Sequence, residues 1–183
     1  MAVPIITWRK GDNTAELTSL ELGTIDAGSS SLTQSLNTML IWNNYAGATA
    51  VADAYDCYVG AVDTTGSTDN PGTTPQLITE KYVEIKDVSN TGDFVAVGYD
   101  AAAGDKIKRT HVSANGTTTF NTTPYAASPS GNAEMPYPIL GNGNAGALTD
   151  LANFCKIDFH LNLPQTAGSG SYSFMLKFWY THI

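Results

Sequence analysis

Charge is what this sequence has least of. Asp, Glu, Lys and Arg together make up 14% of its 183 residues, against roughly 25% in an average soluble domain. That shortage excludes a coiled coil, which needs Glu, Lys and Arg in register beside its apolar seam. Cations are scarcer still: 9 Lys and Arg face 17 Asp and Glu, a formal net charge of -8. A nucleic-acid partner is therefore not expected, since phosphate contacts need a basic surplus. No run approaches the ~20 apolar residues of a membrane-spanning helix. No basic segment precedes an apolar one at Met1–Lys10, so synthesis and first folding in the cytoplasm are expected. Only Cys57 and Cys155 are present. They lack the close Cys and His pairs of a zinc site. Both fall in phase with apolar neighbours and read as buried free thiols, a single Cys57–Cys155 bridge being the alternative.

The missing charge is replaced by Thr, Ser, Asn and Gly, about a third of the chain, and 42% of the residues are hydrophobic. That composition suits short strands joined by many turns, and it holds too much apolar material for a disordered tail. The clearest pattern is Cys155, Ile157, Phe159, Leu161 and Leu163 alternating with Lys156, Asp158, His160 and Asn162. Period-two alternation of this kind marks a strand with one buried face. Pro164–Gly170 interrupts it. A second run follows, with Tyr172, Phe174, Leu176, Phe178 and Tyr180 on one parity. The two runs read as an antiparallel pair or as a corner crossing between two layers.

Further strands are expected over Leu32–Trp42, which Asn43-Asn44 ends, and at Tyr55–Val59, Leu77–Val88 and Phe94–Tyr99. Leu148–Ala152 reads as one helical turn, and Ala114-Asn-Gly-Thr117 as a tight turn. Residues 1–12 read as an N-terminal arm and 123–146 as a long loop. Seven or more short strands with frequent turns point to a single all-β domain over residues 1–183, an Ig-like or jelly-roll-like β-sandwich.

No catalytic group, cofactor site or metal site emerges. His111, His160 and His182 read as solvated strand or terminal residues, and no G-x-S-x-G elbow exists. The loop Asp63–Asp69 offers oxygen ligands but lacks the register of an EF-hand, so a solvated loop is the reading there. Lys106, Lys108 and Arg109 read as an ordinary charged strand end. Aromatic faces suit sugars as well as cores, and Trp8, Trp42, Trp179 and Tyr180 are the aromatics to weigh. Trp42 and Tyr180 fit a core. Trp8 and Trp179 fall off the buried parity or outside any clear strand, and with Arg9 they are the candidate interface residues.

Leu22-Gly23-Thr24-Ile25-Asp26-Ala27-Gly28-Ser29, followed by Leu40-Ile41-Trp42-Asn43-Asn44, resembles small structural proteins of tailed-phage and prophage modules. Leu163-Pro164-Gln165-Thr166-Ala167-Gly168 and Tyr172-Ser173-Phe174, ending in Phe178-Trp179-Tyr180, fit the same pattern. The resemblance covers about the first 60 and the last 35 residues. It implies a non-enzymatic virion component, made in the host cytoplasm and assembled in multiple copies. Its expected partners are other virion proteins and copies of itself, with a tail, baseplate or neck position favoured over capsid decoration. A module binding a host-surface glycan is the alternative.

Overall fold

The computed structural model describes residues 2–28, 37–64, 76–88, 93–100, 106–115 and 138–182. The chain is all-β. Its strands are β1 (Ile6–Lys10), β2 (Asn37–Asn43), β3 (Tyr55–Val62), β4 (Val83–Asp87), β5 (Val95–Asp100), β6 (Lys106–His111), β7 (Phe154–Leu161) and β8 (Met175–Thr181). One helical turn, α1 (Gln76–Thr79), precedes β4, and a short 3-10 turn, Leu151–Asn153, precedes β7. The strands form one antiparallel sheet in the order β1-β2-β7-β4-β5-β6-β3-β8. The sheet is curled, so residues from β2, β3, β4, β5 and β7 share one interior.

Alternation decides which side chains line that interior. On β7, Cys155, Ile157, Phe159 and Leu161 are buried inward. Cys155 pairs with Ile41 and Ile157 with Met39 on β2, while Phe159 pairs with Ile85 and Leu161 with Val83 on β4. Val83 in turn opposes Val97 on β5. Each apolar row thus crosses several strands, the unit by which side chains stabilise a sheet. Two aspartates sit at the interior's margin. Asp56 and Asp87 are both nearly buried, and Ser113 donates to Asp87 Oδ2 from both its backbone N–H and its hydroxyl, each at 2.9 Å.

A second apolar cluster lies on the other face, where Leu40, Trp42 and Phe154 are buried. Trp42 packs on Phe154 with centroids 4.5 Å apart and meets Tyr45 edge-on at 5.1 Å. The Asn43-Asn44 pair that stops β2 acts as a clamp. Asn43 Nδ2 donates to the carbonyls of Ala52 and Ile139 at 2.9 and 3.0 Å, and its Oδ1 accepts from Ile5 N–H at 3.1 Å. Asn44 Nδ2 donates to the Thr49 and Gly141 carbonyls, each at 2.9 Å. Short amide side chains thereby satisfy backbone groups of irregular loops that have no sheet partner.

Several expectations change. Ile6–Lys10, inside the stretch read as an arm, is an edge strand on β2. The run from Leu77 does not begin as a strand, because Gln76–Thr79 is helical. That turn lies directly against β5 at Gly98, whose φ is +136°. A Cβ there would sit 2.5 Å from the Ile78 carbonyl oxygen, so the close approach needs glycine. The two C-terminal runs do not pair with each other. β7 pairs with β2 and β4, and β8 pairs with β3, so Pro164–Gly170 joins two strands that are not neighbours in the sheet. The helical turn expected at Leu148–Ala152 lies at Leu151–Asn153. Residues 138–146 of the long loop run irregularly, apart from an isolated bridge between Ala54 and Ile139. Its residues 123–137, and Leu32–Leu36 of the expected second strand, lie outside the described residues, as does the Gly116-Thr117 half of the tight turn.

Both cysteines are free and buried. Burial pushes both thiols well up, since it penalises the thiolate, and the carboxylate of Asp87 adds to the rise at each. A thiol raised in the fold keeps its proton while the unfolded thiol loses it. Its contribution is therefore complete below the ordinary thiol value of about 8.5 and falls away as pH rises above it. The expected loss is up to about 1.4 kcal/mol per pH unit for each thiol. Urea unfolding of the wild type and of a Cys57→Ala/Cys155→Ala variant between pH 8 and 10 checks this. The variant should lose less stability over that range, and equal slopes would contradict the account.

Candidate functional site

The outer side of β3, β6 and β8 carries the densest group of aromatic and cationic side chains among the described residues. Register brings it together. Tyr58 on β3 lies between His111 on β6 and Trp179 on β8, and Gly60 lies between Arg109 and Lys177. Two cross-strand rows result, His111–Tyr58–Trp179 and Arg109–Gly60–Lys177. The Tyr58 and His111 rings stack with centroids 4.0 Å apart. The Arg109 guanidinium lies over Tyr58 at 4.3 Å and reaches Trp179 at 5.6 Å, while Lys177 Nζ lies 5.5 Å from the Trp179 ring. Each such contact stabilises by about 0.5–1 kcal/mol at a partly solvated site.

Gly60 is the hinge of this arrangement. A Cβ at that position would stand 3.1 Å from Trp179 Cζ3 and 3.2 Å from Arg109 Cβ. Without one, the indole and the arginine stem lie down over the β3 backbone. Arg109 is exposed, and Tyr58, His111, Lys177 and Trp179 are half-buried. The surface is locally basic on a chain whose net charge is -8, and it ends at β8, a margin of the sheet.

The three residues singled out from sequence are not brought together. Trp179 belongs to this surface. Trp8 opposes Ile41 and packs against the main interior, so it lies on the inner parity of β1. Arg9, on the other parity, is 9% exposed. Its guanidinium lies 3.9 Å from the Tyr45 ring centroid and donates to Asn13 Oδ1 and the Asn13 carbonyl, each at 2.7 Å. Asn13 Nδ2 then donates to the Gly146 carbonyl at 2.8 Å. Arg9 thus ties β1 to the loop before β7. Trp42 is fully buried, and Tyr180 is half-buried against the interior.

Tyr58, Arg109, His111 and Lys177 are missed by sequence reasoning. The available signal is Gly60 inside a strand, together with Lys177 and Trp179 sharing a parity. His160 also differs from expectation: it is buried. Its Nε2 lies 2.8 Å from Glu84 Oε2, its ring stacks on Phe94 at 4.1 Å, and Asn162 donates to Glu84 Oε1 at 2.9 Å. Glu84 and His160 are opposed residues of β4 and β7, so this is a packed cross-strand cluster. His182 is exposed, and His111 is covered by Tyr58.

Parts of the stretches that carry the phage resemblance, Leu22–Ala27, Leu163, Ala167-Gly168 and Tyr172–Phe174, meet at a separate groove of about 850 Å³, whereas Leu40–Asn44 and Phe178–Tyr180 do not line it. Its walls are residues 18–27 and 167–174, with Tyr82 and Leu163 between them. The Gly28 N–H donates to the Leu163 carbonyl at 2.9 Å, joining the two stretches. Gly168 N–H donates to Gln76 Oε1 at 2.9 Å and Tyr172 Oη to the Gly168 carbonyl at 3.1 Å. Apolar side chains such as Leu22, Ile25 and Phe174 share the walls with hydroxyls and glycines. Ser29 of the first stretch, and residues 65–69 of the loop weighed as a calcium ligand, lie outside the described residues. Among the described residues no three His, Cys, Asp or Glu side chains gather as metal ligands, and no helix is long and apolar enough to cross a membrane. Comparison with protein-family models, with curated proteins and with solved structures yields no match.

Proposed function

We propose that this chain is a non-enzymatic structural protein of a bacteriophage particle, held by protein–protein contacts at the outer side of β3, β6 and β8. The observation that carries the proposal is the Arg109–Tyr58–Trp179–Lys177 array at the margin of the sheet. Arg, Tyr and Trp are the residues that protein interfaces concentrate: Tyr and Trp bury a large flat area at low entropic cost, and Arg adds a planar fork of donors that also stacks on rings. The fold is read as a β-sandwich of Ig-like or jelly-roll-like type, supported by the curled sheet and by the β7–β8 connection between strands that are not neighbours. The virion setting, with multiple copies and a tail, baseplate or neck position, rests on the phage resemblance. The groove at which parts of its motif-bearing stretches meet accords with that setting.

A glycan-binding role is less favoured. Cations already approach the Trp179 ring from Arg109 and Lys177, at the face a sugar would need for stacking. The test uses particles from a host that carries this sequence, purified on a density gradient. The wild-type chain should travel with the particles, and Trp179→Ala should fall roughly tenfold or more, the effect of losing an interface anchor. Circular dichroism must show that variant folded. Particles that hold the variant normally, but lose binding to host-surface polysaccharide, would support the glycan reading and overturn this one.

A further inference from the structure

The loops beyond β2 are held by amide side chains, and one of the residues they hold is chemically labile. Asn142 is followed by Gly143, and both are exposed. An asparagine before glycine is open to attack by the following backbone nitrogen on its side-chain amide, because glycine puts no side chain beside that nitrogen. The fold requires the glycine. A Cβ at residue 143 would stand 2.9 Å from the Ala48 carbonyl oxygen. The segment is pinned on both sides of the pair. Gly141 N–H donates to Asp53 Oδ1 at 2.7 Å, and Asn144 N–H donates to the Gly47 carbonyl at 3.1 Å.

The donors around Asn142 set this pair apart from a bare Asn-Gly sequence. Three side-chain amides converge on its backbone carbonyl: Asn44 Nδ2 at 3.2 Å, Asn144 Nδ2 at 3.2 Å and Asn153 Nδ2 at 3.3 Å. Asn153 Nδ2 also donates to Asn142 Oδ1 at 2.5 Å. Asn44 and Asn153 are buried, so these donors are in place before any reaction begins.

We propose that Asn142-Gly143 is a self-modification site, and that the converging amides direct its product to isoaspartate. In the first step hydroxide removes the Gly143 amide proton, and the nitrogen attacks Asn142 Cγ. A C–N bond forms, the Cγ–Nδ2 bond breaks, and Nδ2 leaves as ammonia with a proton from water. The negative charge that develops on Oδ1 falls on the oxygen to which Asn153 already donates. The product is a five-membered cyclic imide. In the second step water opens the ring at one of its two carbonyls. Attack at Cγ gives aspartate. Attack at the former backbone carbonyl cleaves its bond to the Gly143 nitrogen and leaves the chain running through Cγ, which is isoaspartate. The oxyanion of this second route, and the carboxylate that follows it, lie on the oxygen where the three amides converge. Donors already in place favour the route whose charge they meet. Hydrogen bonds to a carboxylate are also stronger than those to a neutral carbonyl. The modified loop carries one more negative charge and one more backbone atom between its pinned ends. Water is the only co-reactant, so the inference stands apart from the virion reading.

The test incubates the purified full-length chain at pH 8, folded and in parallel unfolded in guanidinium chloride. Peptides that span residue 142 are quantified by mass, and by a protease that cleaves before aspartate but not before isoaspartate. The folded chain should acquire a more acidic form altered at Asn142. Its isoaspartate-to-aspartate ratio should lie roughly fivefold above that of the unfolded chain, the effect of about one well-placed hydrogen bond. Asn153→Ala, shown by circular dichroism to be folded, should form the product more slowly and return the ratio toward the unfolded value. The comparison of folded with unfolded wild type stands if that variant does not fold. An Asn142 that stays intact in the fold while it converts in denaturant, a ratio equal in the two states, or a folded Asn153→Ala with the wild-type ratio would each overturn the proposal.

Discussion

Trp42→Ala is expected to lower the unfolding free energy by about 3–5 kcal/mol, the range for emptying a buried large aromatic site. At about 2–4 °C per kcal/mol for a domain of this size, the melting temperature should drop by roughly 10 °C. The reason for the upper end is the poverty of the site. Trp42 is wholly inaccessible, yet its cluster contains only Leu40 and Phe154, with Tyr45 at its edge. Few side chains are available to collapse into the void. The Trp42 indole N–H is buried without a hydrogen-bond partner. Trp42→Phe removes that donor along with part of the ring. Relief of an unsatisfied group, about 1–3 kcal/mol, offsets much of the lost packing. Trp42→Phe should thus cost no more than about 1.5 kcal/mol, as for a tolerated hydrophobic exchange. Denaturant unfolding of the two variants decides it. Equal losses would show that the indole N–H is satisfied after all.

Asn43→Ala should cost about 2–4 kcal/mol, large for the removal of a single amide. The side chain is fully buried and holds three stretches of chain together through Ile5, Ala52 and Ile139. The Ile139 carbonyl retains the Ala54 N–H as a partner, so the damage falls on the Ile5 N–H and the Ala52 carbonyl. Asn43→Asp sharpens the test. A carboxylate still accepts from Ile5 but presents negative charge to two carbonyl oxygens, so it should be at least as damaging at pH 7. Protonation restores one donor, and the deficit of this variant should narrow as pH falls toward 4. Urea titrations at the two pH values provide the check. A loss below about 1 kcal/mol for Asn43→Ala would show that the loops are held by other means.

These two residues also show what was legible in the sequence. Trp42 was readable as a core residue and Asn43-Asn44 as the end of a strand. That the indole belongs to a second cluster on the other face, and that the amides clamp remote loops, depends on contacts with Phe154 and Ile139, far along the chain. Alternation in Cys155–Leu163 specified the buried face of β7 because its period is a local property. It was silent on neighbours, since any strand with an apolar face offers the same backbone edge. β7 and β8 are adjacent in sequence yet pair with different strands for that reason. Trp8 was misplaced because Ile6–Lys10 is too short to establish its own phase, which β2 supplies. His160 obeyed its outward parity but not the inference of solvation, since the outer face of β4 and β7 is itself covered by Phe94 and Glu84.

The candidate surface was less legible than the core. Trp179 was reachable from its parity alone. Tyr58, Arg109 and Lys177 acquire meaning only when three strands distant in sequence lie side by side over Gly60. The scarcity of charge takes on a different aspect in that setting. Interfaces whose centres are poor in charge avoid a desolvation cost, and this chain sets the two cations of its candidate surface, Arg109 and Lys177, against aromatic rings.

The most direct measurement of the central claim is the amount of this chain in gradient-purified particles, quantified by mass spectrometry against a major capsid protein. A fixed complement of several copies per particle, unchanged by repeated banding, is the predicted result. A chain left wholly in the soluble fraction, with particles assembled and infectious without it, would contradict the account.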